Sequence, residues 1–271
     1  MATKPDLSHT QYKWVWFDLD DTLWDFTNNS LAALGDLYRL EHLDRWWSDV
    51  DAWRGNYHRH NSELWPQYAP GLIDCATLRR ERFRRPLRDV GVDDAAALAM
   101  APHLDAHYLR LLAQRPDTIE GAHRTLAALK NAGIYIGILS NGFNDTQQQK
   151  LRSAHLDRYI DLIVLSDDIA VNKPDRRIYD YARRRAAALT GSDCPVEQTL
   201  MVGDNPETDI LGALNAGWDA VWLNRASAPM PESLEACRDR GARLRVVGAL
   251  DAVIHCLRIP ENPEDSTGDL R

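Results

Sequence analysis

The sequence lacks a long apolar run, paired cysteines and an excess of basic charge, and each absence removes a class of function. No segment approaches the roughly 20 apolar residues that a membrane-spanning helix needs, and the opening residues MATKPDLSHTQYK have no apolar core of a secretory signal. The expectation is a cytoplasmic protein with no membrane partner. The four cysteines, Cys75, Cys194, Cys237 and Cys256, are far apart and form no C-x-x-C pair. That pattern suits a reducing compartment and small buried thiols better than a disulfide framework. Acids (40) outnumber lysine and arginine (32), for a net charge of −8. Nucleic acid is therefore not the expected partner, because binding its backbone needs a basic surface. A small phosphorylated ligand is not excluded, since local charge can oppose the global sign. There are no internal repeats, and nothing in the sequence sets an oligomeric state.

What is present alternates in texture. Residues 14–19, at the head of "WVWFDLDDTLWDF", read as a buried strand that runs into the acids Asp18, Asp20 and Asp21. From about Trp24 to Arg115 there is no convincing run of β-branched residues. Leu, Ala, Arg and Trp dominate, which predicts several helices with breaks near Pro66–Gly71 and at Gly91. From Thr118 strands and helices alternate. "GAHRTLAALKNAG" reads as a helix closed by Gly133, "IYIGILSNG" as a strand, "DTQQQKLRSAHL" as a helix and "DLIVLSDD" as a strand. "KPDRRIYDYARRRAAALTG" reads as a helix with Pro174 at its start, "TLMVGDN" as a strand, "PETDILGALNAG" as a helix and "DAVWLN" as a strand. This alternation predicts an α/β fold, a Rossmann-like parallel sheet with helices on both faces. The first strand must join that sheet, so the helical stretch is an insertion after strand one. The expected division is 12–23 with 117–259 as the α/β core, 24–116 as a helical domain, and 260–271 as a polar, disordered tail.

In an open α/β sheet, ligands bind beyond the carboxyl ends of the strands. Asp18-Leu19-Asp20-Asp21-Thr22, Ser140-Asn141-Gly142, Lys173-Pro174 and Gly203-Asp204-Asn205, with Asp209 beyond, all fall at or after predicted strand ends. Carboxylates, a lysine, a hydroxyl and a turn of backbone N–H groups at one edge would suit a divalent cation together with a phosphate.

This order of motifs resembles the haloacid dehalogenase superfamily of phosphohydrolases: D-x-D-x-T at Asp18–Thr22, Ser-Asn at Ser140–Asn141, Lys173, and G-D-x-x-x-x-D at Gly203–Asp209. The inserted helices resemble that superfamily's type 1 cap. Within it, "NGFNDTQQQKL", "AVNKPDRRIYDYA", "MVGDNPETDILGALNAG" and "LWPQYAPGLI" resemble bacterial pyrimidine 5′-nucleotidases. The resemblance implies that Asp18 is the nucleophile and forms an aspartyl-phosphate, and that Asp20 is the general acid and base. It implies that Lys173 stabilises the transferring group, and that Ser140 with the N–H groups of Asn141 and Gly142 holds phosphate oxygens. Magnesium would be held by Asp18, the backbone carbonyl of Asp20 and Asp204. Asp209 would support the metal shell or hold Lys173, with helix capping as the structural alternative. Asp21 matches no functional position. The implied activity is Mg2+-dependent hydrolysis of a pyrimidine nucleoside 5′-monophosphate. The alternatives are a phosphatase for a sugar phosphate or phosphoglycolate, a phosphomutase, and a 2-haloacid dehalogenase. Asp20 argues against the last, because displacing halide needs no general acid. A catalytically dead binding protein would be expected to lack one of the motif residues, and none is missing.

The cap is less legible. Trp65, Tyr68 and Gly71 match the nucleotidase pattern, but such rings also serve as core. Arg79 or Arg82 is a candidate to reach the cleft from an otherwise solvated face. His58 and His60 are expected on a solvated helix rather than on a metal. Phe143, beside the phosphate loop, suits a pocket wall and core packing equally well.

Overall fold

Trp14–Phe17 (β1) is buried at every residue, which a strand achieves only when it is paired on both sides and covered on both faces. The computed structural model describes residues 12–68, 70–239 and 243–257. The expected tail after Pro260, the first eleven residues and the end of the core segment at 258–259 lie outside them. After β1 come the helices α1 (Phe26–Leu40), α2 (Val50–Tyr68), α3 (Cys75–Asp89) and α4 (Asp94–Ala113). The chain continues as α5 (Ala122–Asn131), β2 (Tyr135–Ser140), α6 (Asn144–Ser153), β3 (Leu162–Leu165), α7 (Arg176–Thr190) and β4 (Thr199–Gly203). Pro206–Leu211 then winds as a wide π-type turn into α8 (Gly212–Asn215). It is followed by β5 (Asp219–Leu223), α9 (Glu232–Asp239), β6 (Leu244–Val247) and α10 (Asp251–Cys256).

The six strands form one parallel sheet in the order β3-β2-β1-β4-β5-β6. Alternation along β1 sends Trp14 and Trp16 to one face, where they pack with Ile178 and Tyr179 of α7, Ala213 of α8, Trp218 and Leu234 of α9. Trp16 lies so close to β2 that a Cβ on Gly137 would sit 2.3 Å from its ring, so that position must be glycine. Val15 and Phe17 point to the opposite face. The fold is thus α/β with a helical insertion after the first strand, as a type 1 cap is inserted.

Contacts divide the chain into two compact units. One holds the part up to Asp25, Thr118–Phe143 and the part from His155 on; the other holds Phe26–Asp117 and Asn144–Ala154. The second unit therefore includes α6, which the sequence reading left with the sheet. Its Ser153 Oγ donates to the Ala113 carbonyl at the end of α4 (2.9 Å). This unit has its own aromatic core of Tyr57, Phe83 and Tyr108, with ring centroids 5.1–5.8 Å apart.

Several local expectations shift. β1 ends at Phe17 rather than at residue 19. α2 runs through Pro66 and ends at Tyr68, and Gly71, with a φ of 79°, then turns the chain, its N–H donating to the Tyr68 carbonyl (2.9 Å). α7 begins two residues after Pro174 and is capped by Asp175, which accepts from the Arg177 N–H (2.9 Å). β6 was not anticipated, because its middle residues are exposed and give no apolar run. Among the described residues no helix is long and apolar enough to cross a membrane, and none of the four cysteines is in a disulfide.

Candidate active site

The strand order decides which motifs meet. β2 and β4 flank β1, so the segments leaving their carboxyl ends emerge side by side. Asp18 extends the ladder by one bond, its N–H donating to the Val202 carbonyl (3.0 Å), and then the chain turns away. Asp21 takes a left-handed conformation (φ 56°), with its N–H on the Trp24 carbonyl. It shapes the turn after the strand.

Lys173 comes from the loop after β3 and is 2% exposed. Its ammonium donates three bonds of 2.7 Å, to Asp18 Oδ1, Asp209 Oδ1 and the Leu139 carbonyl. Three acceptors satisfy all three of its protons. The loop carrying it is clamped to the Ser-Asn motif: Lys173 N–H donates to Asn141 Oδ1 (2.7 Å), and Asn141 Nδ2 donates to the Lys173 carbonyl (3.0 Å). The side chain of Asn141 thus positions the lysine. In the same loop Gly142 N–H donates to Ser140 Oγ (3.1 Å), so an anion held there would replace that internal bond.

Asp204 and Asp209 follow β4. A Cβ on Gly203 would lie 2.3 Å from Asp209 Oδ2, so only glycine lets Asp209 fold back over the strand end. Asp209 is 1% exposed and also accepts from the Asn205 N–H (3.1 Å). Asn205 caps the following turn through Oδ1, which accepts from Glu207 and Thr208 N–H (3.0 Å each). Thr22 ties β1's loop to β4's: its hydroxyl donates to Asp204 Oδ1 (3.2 Å) and accepts from the Asp204 N–H (3.0 Å). Thr22 has no task legible in the sequence beyond its place in the motif, and a hydroxyl directly after the acids is the available signal.

One carboxylate oxygen from each of Asp18, Asp204 and Asp209 lies within 4.8 Å of the others. Three carboxylates beside one ammonium leave an excess of negative charge, which adds to the cost of burying them. Burial pushes Asp18 well above the usual carboxylate range; Lys173 opposes this, and Asp209, Asp204 and Asp20 add to it. Burial, then Asp209 and Asp21, push Asp204 up to about 7, against its bond from Thr22 and the charge of Lys173. Lys173 is held above its ordinary range, because Asp18 and Asp209 outweigh the cost of burying it. A set of hard oxygen donors carrying uncompensated charge fits Mg2+. Asp20 sits at the edge of this group, half-buried, and its charge reaches Asp18. Because Mg2+ requires ionised ligands, its apparent affinity is expected to fall as pH drops below about 7, by about tenfold per unit. Calorimetric titration across pH, with proton release read from buffers of different ionisation heat, checks this; a flat affinity would contradict it.

The helical-unit candidates separate. Arg82 is buried and bonds Asp105 through Nε (2.9 Å), and Arg79 bonds the same carboxylate (2.6 Å). Both are engaged inside that unit. His60 is not solvated: it is buried, with Nε2 2.6 Å from Asp89 Oδ2. Trp65 is half-buried and packs edge-on against Tyr68, with centroids 5.5 Å apart. Phe143 is buried next to the Ser-Asn loop.

The chain is similar to several known proteins. A family model described as haloacid dehalogenase-like hydrolase matches residues 12–217. The chain is 31% identical to pyrimidine 5′-nucleotidase YjjG of Escherichia coli, over 83% of this chain and 91% of that protein. It is also 31% identical to a phosphoserine phosphatase of Thermus thermophilus, over 89% of this chain and 100% of that one. The crystal structure of the HAD-hydrolase YfnB of Bacillus subtilis, bound to magnesium, superposes with a TM-score of 0.76 at 25% identity, covering 92% of this chain and 99% of that one.

Proposed function

Since the chain belongs to the haloacid dehalogenase-like hydrolases and is a phosphatase of that family, we propose that it hydrolyses pyrimidine nucleoside 5′-monophosphates with Mg2+, through a phosphate ester of Asp18. The observation that carries the mechanism is Lys173, which holds Asp18 and Asp209 on one ammonium at the edge where Asp204 and Ser140 also emerge.

Asp18 attacks phosphorus, a bond forms from its carboxylate oxygen, and the ester P–O bond breaks. Asp20 gives its proton to the departing alkoxide. In the second half, water attacks phosphorus, Asp20 takes a proton from it, and the bond to Asp18 breaks, returning the carboxylate. Lys173 stabilises the charge that moves between Asp18 and the phosphoryl oxygens, already aimed and desolvated, so little reorganisation is needed. Ser140 and the N–H groups of Asn141 and Gly142 hold the phosphoryl oxygens. Asp18, the Asp20 carbonyl and Asp204 would hold Mg2+, which when bound would supply the charge neutralisation that lets a carboxylate approach a phosphate.

The choice of leaving group rests on the nucleotidase-like stretches, with Trp65 and Tyr68 as the rings suited to a base. A second reading, another small phosphomonoester, is favoured by the equal identity to a relative named for phosphoserine. The deciding assay measures phosphate release from dUMP, dTMP, UMP, purine nucleotides, sugar phosphates and phosphoserine, each with Mg2+ and with EDTA. Pyrimidine 5′-monophosphates are expected to give the highest kcat/KM, and EDTA to remove activity on every substrate. A higher kcat/KM for phosphoserine or a sugar phosphate would overturn the substrate assignment and leave the mechanism standing.

A further inference from the structure

A second set of metal-ligating side chains lies in the helical unit and shares no group with the phosphate site. Glu41 is one residue past α1, and its N–H still donates to the Leu37 carbonyl (2.9 Å), so the last turn of the helix holds it. His103 and His107 are four residues apart on α4, which puts both rings on one face. Both turn onto the same carboxylate oxygen: His103 Nε2 is 2.8 Å from Glu41 Oε1, and His107 Nδ1 is hydrogen-bonded to that atom too. The three ligand atoms lie within 4.8 Å of one another. Partial burial pushes the Glu41 carboxyl up, but the bonds from His107 and His103 outweigh it and hold the group below the usual range. The His103 side chain is 67% exposed, so an ion can reach the site from solvent.

We propose that Glu41, His103 and His107 form a binding site for a borderline divalent transition-metal ion of the zinc type, separate from the magnesium site. Two imidazoles and one carboxylate suit Zn2+, whose tetrahedral shell accepts three protein ligands and a water, and they are a poor set for Mg2+. Zinc–nitrogen bonds of about 2.0–2.1 Å with tetrahedral angles place ligand atoms roughly 3.3–3.5 Å apart. The 2.8 Å between His103 Nε2 and Glu41 Oε1 must therefore open by about 0.5–0.7 Å, which rotation of the exposed His103 ring allows. Coordination replaces the two bonds to Oε1, and each ring carries its proton on the nitrogen facing away from the ion. The ion then joins the end of α1 to α4, segments 62 residues apart in sequence, and so stabilises the folded helical unit by mass action.

The test titrates chelator-stripped, full-length protein with Zn2+ against a competing chromophoric chelator, and with Co2+ followed by visible absorption. The wild type is expected to bind one more equivalent of Zn2+ than the His103→Ala/His107→Ala variant. Zn2+ should also raise its Tm by more, and its Co2+ spectrum should be that of a nitrogen-ligated tetrahedral site. Glu41→Gln, and each single histidine variant, should weaken this class by at least about tenfold, the lower end of what even an outer-shell partner contributes. Asp204→Asn should leave the class intact, and the double variant should keep Mg2+-supported turnover, which also shows that it folds. Equal stoichiometry, Kd and Co2+ spectrum in wild type and double variant would overturn the proposal. Should the double variant fail to fold, His103→Gln on the exposed ring decides: unchanged Zn2+ affinity there overturns it as well.

Discussion

Asp18→Asn is expected to abolish turnover, by on the order of 10⁴-fold or more in kcat, as removal of a nucleophile does elsewhere. The fold should survive it. Lys173 keeps two of its three acceptors, Asp209 and the Leu139 carbonyl. The swap also removes a carboxyl that burial, reinforced by Asp209, Asp204 and Asp20, holds well above its ordinary pKa. In the absence of metal, Tm should therefore stay level or rise. The chemical signature is independent of the rate. Acid-quenched wild type, mixed with substrate, should retain phosphate on the protein, and the variant should retain none. A variant with more than a few per cent of wild-type kcat would remove Asp18 from the mechanism and with it the covalent step.

Lys173→Met should lose both activity and stability, and the two losses have one origin. The side chain lies in a site almost closed to water and neutralises two carboxylates. Removing one partner of such a group leaves uncompensated buried charge, which costs about 3–5 kcal/mol. The turnover loss is expected at roughly 10²–10³-fold, the effect of deleting one preorganised donor. The sign of the pH dependence follows from the acids. Asp18 and Asp204 hold their protons more tightly in the folded protein than in the unfolded chain. Their protonation therefore favours folding at low pH, and that contribution is lost as pH rises through their folded pKa values, which is about 7 for Asp204. Without Lys173 the acids rise further, so the stability deficit should be largest above about pH 7 and shrink in acid. Urea unfolding of metal-free protein at several pH values measures this. A deficit that is small, or constant with pH, would mean that the ammonium does not hold these charges together.

Much of the α/β architecture was legible. β1, β2, β4 and β5 are buried along almost their whole length, and such parallel strands leave near-continuous apolar runs in the sequence. β6 left none, because Arg245 and Val246 face solvent at the sheet's edge. At Lys173-Pro174-Asp175 the local signals conflict, since a Pro that can open a helix precedes the Asp that caps it, and the helix starts two residues after Pro174. The burial of His60 leaves no local signal, because its partner, Asp89, lies 29 residues away in sequence.

The residue types at the candidate site were set by the sequence alone: acids directly after a strand, a Ser-Asn-Gly turn, a lysine in a short loop and a glycine before Asp204. These follow from local chemistry, since each needs only its own strand end or turn. Which partner each would find was decided by the tertiary structure. Asn141 clamps Lys173, Thr22 braces Asp204, and Glu41 receives both histidines, because strand order and helix packing bring together segments 32, 182 and more than 60 residues apart. Local pattern encodes the periodicity of burial and the chemistry of a turn. It does not encode the distance between turns, which is settled only when the sheet assembles around β1 and the helices close on their own core.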